Sequence, residues 1–416
     1  MYNSSMQEFF HNDNYIFHIT RGFFSAIFFS AFIYFEHYGV SHKFINTFFG
    51  LLALTSLIYA PKKTILASGF FIGLFWFYWI GYSFEYNGVG YLTPFITFAF
   101  AIIYMLFFGT LALTKTYYIR AIILFGLSFF EPFDWNWMQI ELVFVESYLG
   151  VYKYQFLLIL LAITLPYYIR SNTYKYLPLV ALVFATPHFS IYANQQKEST
   201  LKIKLVSTDI KQEKKWLRGT LNPTIILSYK EIHQAIKEKY DLIVFPESFF
   251  PLYMNKNPEL IEELKNLSKS ISIVTGSLYL DGQNNYNVTY LFEDEQVSFA
   301  KKLVLVPFGE YIPLPAFARD FINNTFFAGQ ADFHTADKPS DFVIKGTTFR
   351  NAICYEATCE EIYEGEVDYV IATSNNAWFA PSIEPTLQNL LLRYYARKNG
   401  VTIYHSANYK GSGVIK

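Results

Sequence analysis

Long uncharged apolar runs fill the first half of the chain and predict a polytopic α-helical membrane domain. A helix that crosses a bilayer core needs about 17–25 mostly apolar residues. Runs of this kind follow one another at 22–35, 44–61, 64–84, 86–114, 121–130, 154–169 and 176–196. Buried helices of a large soluble protein are the alternative, and so many successive runs disfavour it. Because the run at 121–130 is short, the apolar pattern alone leaves six or seven spans open.

Basic residues in the connecting loops favour about seven spans with the N-terminus inside. Positive charge collects in the cytoplasmic loops of membrane proteins. With seven spans, the inner loops contain Lys62, Lys63, Lys115, Arg120, Arg170 and Lys175, and the outer loops contain Lys43 and Lys153. An odd number of spans then places the chain after residue 196 on the outer face. The first apolar run lacks a small-residue cleavage site, which predicts an anchor and not a cleaved signal.

The pattern changes at residue 197 to short strands that alternate with amphipathic helices. Strands are predicted at "LKIKLVSTDI", "DLIVFPE", "SIVTGSLYL", "TFRNAIC", "DYVIATS" and "VTIYHSA", with a hairpin in "NVTYLFEDEQVSFAKKLVLV" and helices at 224–240, 257–271 and 382–398. Such alternation is typical of stacked α/β layers. We therefore divide the chain into a transmembrane domain, 1–196, and an α/β domain, 197–416.

Composition and charge indicate which classes of partner are not expected. Hydrophobic residues make up 52% of the chain and charged residues 16%, against roughly a quarter charged in an ordinary soluble domain. The formal net charge of −1 gives no support for nucleic-acid binding. The two cysteines cannot form a disulfide framework. We expect no nucleic-acid partner, no metal and no cofactor.

Three reactive side chains fall at the ends of predicted strands. Glu247 follows "LIVFP", Lys302 precedes "LVLVPFGE", and Cys354 follows "RNAI". Ligand sites in open α/β sheets lie at such ends, and a thiol nucleophile needs a base and a positive group that holds the oxyanion. Taken singly, each residue has an ordinary structural explanation, since a lone cysteine is usually a small buried hydrophobe. Their joint occurrence favours a nucleophilic site.

Four motifs carry a resemblance to a known family. "VFPESFFP", "KLVLVPFGEYIPLP", "AICYE" and "SNNAWF" resemble, in that order, the carbon–nitrogen hydrolase (nitrilase) superfamily. Behind a polytopic membrane half, they are most similar to the bacterial apolipoprotein N-acyltransferases. The resemblance implies a four-layer αββα sandwich, with Glu247, Lys302 and Cys354 as the catalytic triad. The secondary or substrate-binding positions it implies are Glu310, Tyr355, Glu356, Trp378, Tyr286 and Asn287.

Lys301 and Cys359 each lie close to an expected catalytic residue of the same type. Lys301 adjoins Lys302, and the spacing to "LVP" favours Lys302. Cys359 matches no catalytic position, and we interpret it as structural.

The late helix departs from the family at Lys398 and Val401. The chain ends at Lys416 where relatives are expected to continue, so the second domain is expected to be C-terminally short.

The resemblance also implies an activity. An acyl chain would pass from a phospholipid, through a thioester on Cys354, to the α-amine of the N-terminal diacylglyceryl-cysteine of an apolipoprotein. The protein would lie in the bacterial inner (cytoplasmic) membrane as a multi-pass protein, with its catalytic domain on the periplasmic or outer face. Two alternatives stay open: a membrane-tethered amidohydrolase that hydrolyses its thioester with water, and an inactive lipid-binding relative.

Overall fold

A computed structural model describes residues 15–170, 174–190, 196–307, 309–311 and 333–416. The chain divides into two compact units, of which the first is formed by Met1–Ile80, Pro94–Phe130 and Gln139–Ile191, and the second by Gly81–Thr93, Glu131–Met138 and Tyr192–Lys416. The second unit thus includes two short segments from the first half of the chain. Both overlap loops that the charge pattern places outside, "EYNGVG" and "EPFDWNW".

The first unit is helical. Its helices are α1 (Tyr15–His37), α2 (Lys43–Ile58), α3 (Lys62–Phe77), α4 (Thr93–Gly109), α5 (Tyr117–Leu127), α6 (Lys153–Tyr168) and α7 (Leu177–Phe184). Among the described residues, two helical stretches are long and apolar enough to cross a membrane, Tyr15–His37 and Gly90–Leu113. A third joins them if Lys62–Phe77 and Ile80–Tyr86, bent by 43°, form one span. Residues 171–173, in the loop before the last expected span, and residues 191–195, near the end of that span, lie outside the described residues.

Two glycines bring α3 and α4 into backbone contact. Gly69 and Gly73 are four residues apart, so they lie on one face of α3. A Cβ atom at Gly69 would lie 2.6 Å from the carbonyl oxygen of Tyr104, and one at Gly73 would lie 2.9 Å from that of Phe100. Small residues at this spacing let membrane helices approach closely. The packing therefore fits a helix pair that associates inside a bilayer.

The second unit contains two five-stranded sheets. Sheet 1 has the order β1 (Ile203–Leu205), β2 (Leu242–Val244), β3 (Ser272–Asp281), β4 (Asn284–Glu293) and β5 (Gln296–Lys301). Sheet 2 has the order β10 (Gly413–Ile415), β9 (Thr402–Asn408), β8 (Tyr369–Asn375), β7 (Thr347–Ile353) and β6 (Asp341–Ile344). Strands β1–β3 are parallel, as are β7–β9, and the remaining pairs are antiparallel. The helices are α8 (Gln212–Lys215), α9 (Leu221–Lys237), α10 (Pro258–Leu267) and α11 (Glu384–Asn399).

The predicted strands and long helices occur in the predicted order, whereas β6, β10 and the short helix α8 were not predicted. The first strand is shorter than expected, because after Val206 the chain leaves sheet 1 and Thr208 forms a parallel bridge with Asn408 of sheet 2.

The core lies on both faces of sheet 1. Alternating side chains of a strand point to opposite faces, so Leu242 and Val244 face one way and Ile243 the other. The first pair packs in a cluster with Phe349 and other apolar residues of sheet 2. Ile243 packs in a second cluster that includes residues of α9 and α10. The two sheets thus stack face to face, with helices on the outer face of sheet 1.

Candidate active site

The three strand-end residues meet in one cavity of the second unit. Glu247 follows β2, Lys302 follows β5 and Cys354 follows β7, and all three line a cavity of about 220 Å³. Of the secondary positions predicted from the sequence, the cavity is also lined by Glu310, Asn287 and Trp378. The wall includes apolar groups as well, so the cavity is suited to a substrate with both a polar and a hydrocarbon part.

The backbone of Cys354 lies in the left-handed region, with φ of +55°. A residue with a Cβ atom rarely adopts that conformation, which costs of order 1–3 kcal/mol and occurs most often at functional sites. Cys354 is the first residue of a short 3₁₀ helix, Cys354–Thr358, directly after the buried strand β7. The sharp turn directs a half-buried thiol into the cavity at the point where the strand ends.

Lys302 is a buried ammonium group between two carboxylates. Its Nζ lies 2.8 Å from Oε1 and 2.7 Å from Oε2 of Glu310, and 3.9 Å from Oε1 of Glu247. Burial alone would lower the pKa of Lys302, but Glu310, Glu247 and Cys354 together raise it above its ordinary value. Lys302 therefore keeps its proton at neutral pH. The adjacent Lys301 points elsewhere, with its Nζ 3.7 Å from the centre of the Tyr286 ring.

Asn287 fixes the carboxylate of Glu247. Its side-chain Nδ2 donates to Oε1 of Glu247 at 2.7 Å, and its backbone carbonyl oxygen accepts from the backbone N–H of Lys302 at 2.9 Å. One residue thus positions both charged groups. Tyr286 precedes Asn287 on β4, and consecutive side chains of a strand face opposite sides. Tyr286 lies beside Lys301 and is not among the residues that line the cavity.

Electrostatics keep the nucleophile protonated at rest. Burial raises the pKa of the Cys354 thiol, Glu247 raises it further, and Lys302 lowers it. Glu384 and Glu310 add smaller contributions that also raise it, and the net pKa lies well above the ordinary value. The resting residue is therefore a thiol, which must lose its proton during the attack on a substrate.

Glu356 holds two backbone segments together beneath the nucleophile. Its Oε1 accepts from the N–H of Ile353 at 2.6 Å, and its Oε2 accepts from those of Leu303 and Val304 at 2.6 and 3.1 Å. Burial raises the pKa of Glu356 to about 7, although Lys302 and the three N–H donors lower it. The buried carboxyl thus joins the residue before Cys354 to the residues after Lys302.

Tyr355 packs away from the cavity, against the segment Glu131–Met138 of the same unit. Its ring stacks on Trp135 and Trp137, with centroid distances of 5.6 and 6.2 Å, and its hydroxyl donates to the carbonyl oxygen of Asp134 at 3.0 Å. Nδ2 of Asn136 donates to Sγ of the buried Cys359 at 3.4 Å. These contacts fix the turn that follows the nucleophile.

Other residues around the site were not singled out from the sequence. Lys215 is buried, and its Nζ donates to the carbonyl oxygen of Glu247 at 3.0 Å. Burial lowers the pKa of Lys215 to about 8, although Glu247 and Cys354 raise it. Trp216 and Phe84 line the cavity. The stretch "DIKQEKKW" at 209–216, which runs on from the first predicted strand, was the available signal for Lys215 and Trp216, whereas Phe84 lay at the end of a predicted span.

Gly276 of β3 makes room for Glu247. A Cβ atom at this position would lie 2.4 Å from the backbone nitrogen of Ser248 and 2.7 Å from Cα of Glu247. Both contacts are with main-chain atoms, which cannot rotate out of the way. The strand can therefore approach the loop that carries Glu247 only if residue 276 is glycine.

Among the described residues, no group of three or more His, Cys, Asp or Glu side chains could hold a metal ion.

Comparison with known proteins agrees with this architecture. Residues 16–188 match the apolipoprotein N-acyltransferase integral membrane domain, and residues 193–411 match the carbon–nitrogen hydrolase domain. The chain is therefore a carbon–nitrogen hydrolase domain joined to an integral membrane domain.

Full-length relatives narrow this class. The apolipoprotein N-acyltransferase of Wolinella succinogenes is 41% identical over 395 residues, which cover 94% of this chain and 94% of that protein. The protein of the same name from Helicobacter pylori is 35% identical, covering 94% of this chain and 93% of that protein. The chain belongs to the apolipoprotein N-acyltransferase family, and it is a bacterial membrane protein.

Proposed function

We propose that this protein transfers an acyl chain from a phospholipid, through a thioester on Cys354, to the α-amine of the N-terminal diacylglyceryl-cysteine of apolipoproteins. This is the last step of lipoprotein maturation. The observation that carries the proposal is the meeting of Glu247, Lys302 and Cys354 in one cavity of a chain that belongs to this family. Both substrates would be embedded in lipid, which gives the membrane domain a purpose.

In the first half-reaction, the thiol attacks the donor ester. Glu247 accepts the proton of the Cys354 thiol while sulfur bonds to the ester carbonyl carbon. The Lys302 ammonium, which keeps its proton, stabilises the oxyanion together with backbone N–H groups. The ester C–O bond then breaks, and the proton on Glu247 passes to the leaving oxygen of the lysophospholipid. A thioester remains on Cys354.

In the second half-reaction, the acceptor amine attacks the thioester carbonyl. Glu247 accepts a proton from the amine nitrogen as the C–N bond forms, and Lys302 again stabilises the oxyanion. The C–S bond breaks, and sulfur regains the proton from Glu247. The product is an amide, and the site returns to its resting protonation.

We further propose the finer features of the fold. Residues 1–196 would form about seven spans, and residues 197–416 would form a four-layer αββα sandwich with α11 on the outer face of sheet 2. Ten of the sixteen residues of α11 are buried, which supports a covered helix. The segments Gly81–Thr93 and Glu131–Met138 pack within the second unit. Since segments on opposite sides of a bilayer cannot pack together, this packing supports the proposal that these two loops lie on the same side as residues 197–416.

Impermeant thiol labelling tests the orientation in the inner membrane. Single cysteines replace Lys62, in an expected inner loop, and Lys269, which is exposed in the second unit. In intact spheroplasts we expect label at position 269, and label at position 62 only after permeabilisation. Label at position 62 but not at position 269 would reverse the topology.

Trapping of the acyl-enzyme tests the reaction. Purified protein is incubated with phospholipid carrying a labelled acyl chain, and label on Cys354 is located by mass spectrometry before and after addition of a diacylglyceryl-cysteine peptide. We expect label on Cys354 that moves to the peptide amine, none in Cys354→Ala, and most of the activity in Cys359→Ala. Release of free fatty acid without transfer would instead indicate a hydrolase, and absence of label on the unmodified protein would indicate an inactive lipid-binding relative.

A further inference from the structure

A buried glutamine contacts the nucleophile. Gln388 lies in the second turn of α11 and has no exposed surface. Its Nε2 lies 3.8 Å from Sγ of Cys354, within the range of a hydrogen bond to sulfur. Its Oε1 lies 2.9 Å from Nδ2 of Asn376.

The neighbours of Gln388 fix which end of its amide faces the sulfur. The Asn376 atom that faces Gln388 also lies 2.9 Å from the carbonyl oxygen of Lys410. A carbonyl oxygen only accepts hydrogen bonds, so the Asn376 atom is the NH₂ group. The Gln388 atom opposite that NH₂ group must then be the oxygen. The NH₂ group of Gln388 is left facing Cys354.

We propose that Gln388 is a further catalytic residue, an N–H donor that stabilises the thiolate of Cys354 as it forms. Hydrogen bonds to a charged acceptor are roughly twice as strong as those between neutral groups. The contact is therefore worth more to the thiolate than to the resting thiol. The catalytic meaning of this donor rests on the proposed acyl transfer, but its effect on the thiol can be measured without any acyl substrate.

The charged surroundings of the sulfur give such a donor a purpose. Ionisable groups that influence the thiol are Glu247, Glu310, Glu384, Lys302 and Lys215. Three of them are carboxyl groups, each of which raises the pKa of the Cys354 thiol, and the nearby Lys302 ammonium is already paired with Glu310. A neutral amide donor stabilises the thiolate without adding another buried charge that would itself need a partner.

Alkylation kinetics of Cys354 test the proposal. The rate of iodoacetamide modification at Cys354 is measured by mass spectrometry from pH 6 to pH 10 in the full-length protein and in Gln388→Met, which keeps the side-chain length without a donor. Loss of one donor to the thiolate should move the rate profile up by about one pH unit, which is roughly a tenfold lower rate at each pH below the midpoint. Leu391→Met, a volume-conserving change on the same helix, serves as the control and should leave the profile unchanged.

A second variant covers the case in which Gln388→Met fails to fold. Gln388→Glu keeps the acceptor for Asn376 and places a carboxyl oxygen against the sulfur, so its rate should fall at least as far. A folded variant of either kind that alkylates within twofold of the unmodified protein would overturn the proposal. Acyl transfer is followed in the same samples. If the Gln388 variants alkylate more slowly but the unmodified protein transfers no acyl chain, the proposed function is refuted and the donor role of Gln388 stands.

Discussion

Replacement of Glu356 by glutamine should leave one backbone N–H beside the nucleophile, that of Ile353, without a hydrogen-bond acceptor. The carboxyl accepts from Ile353 through one oxygen, and from Leu303 and Val304 through the other. The amide of Glu356→Gln keeps a single accepting oxygen, so its NH₂ group must face one of the two sides. If the NH₂ group faces Ile353, one buried N–H is left without an acceptor. If it faces Leu303 and Val304, two are left. Because each orphaned donor costs about 1–3 kcal/mol, the first orientation is favoured.

Hydrogen exchange measures this difference directly. A cost of about 1–3 kcal/mol corresponds to roughly 5- to 150-fold faster exchange of the affected amide if it exchanges through local opening. At pH 8, above the Glu356 pKa of about 7, overlapping peptides should show that gain at Ile353, with Leu303 and Val304 still protected. Glu356→Ala should release all three amides.

The control for Glu356 is a carboxyl four residues further along the chain. Glu360 is exposed and pairs with Lys398, so Glu360→Gln should leave the three amides unchanged. Equal exchange at Ile353 in the unmodified protein and in Glu356→Gln would refute the reasoning. Loss of protection at 303–304 in place of 353 would show that the amide takes the opposite orientation.

Four further substitutions test individual contacts. Lys302→Met should slow acylation of Cys354 on the order of 10²–10³-fold through loss of an oxyanion donor. Lys301→Met removes only the contact with Tyr286, worth about 0.5–1 kcal/mol. Equal losses of acylation rate in a labelled-phospholipid assay would contradict the assignment of Lys302 as the catalytic lysine. Gly276→Ala should lower the melting temperature by the equivalent of about 1–3 kcal/mol and impair acylation, because the new Cβ displaces the loop of Glu247; an unchanged melting temperature would contradict the close contact. Since burial lowers the pKa of Lys215 from 10.5 to about 8, the folded protein binds fewer protons than the unfolded chain between these values, so this residue makes stability rise with pH there. Lys215→Met should remove about 3 kcal/mol of that rise, and a pH profile of thermal stability identical to that of the unmodified protein would refute it.

The sequence was sufficient for the parts of the site that depend on local pattern. Buried strands end where polar residues begin, so Glu247 and Cys354 could be placed at strand ends without a structure. Alternation along a strand separates Lys301 from Lys302, and it also explains why Asn287 reaches the cavity while Tyr286 does not. These are properties of neighbouring residues, which a periodic pattern records.

The rest depends on contacts between distant segments. The amide of Gln388 is oriented by Asn376 and by the carbonyl oxygen of Lys410, and no local pattern on α11 indicates that arrangement. Gly276 lies in an ordinary strand, and only the approach of the Glu247 loop reveals why it has no side chain. The membrane helices show a related limit, since apolar runs indicate where hydrocarbon can be tolerated but not where each helix breaks or bends.

The packing of Tyr355 against Trp135 and Trp137 sets the order of events during synthesis. The bonds that join these segments span 219 to 223 residues. At about 5–20 residues per second, the ribosome reaches Tyr355 about 10–45 s after it has made the two tryptophans. During that interval Trp135 and Trp137 have been synthesised but the ring they stack on has not, so their aromatic surfaces lack this partner. The nucleophile's turn can therefore take its final form only late in biogenesis, after most of the chain has been made.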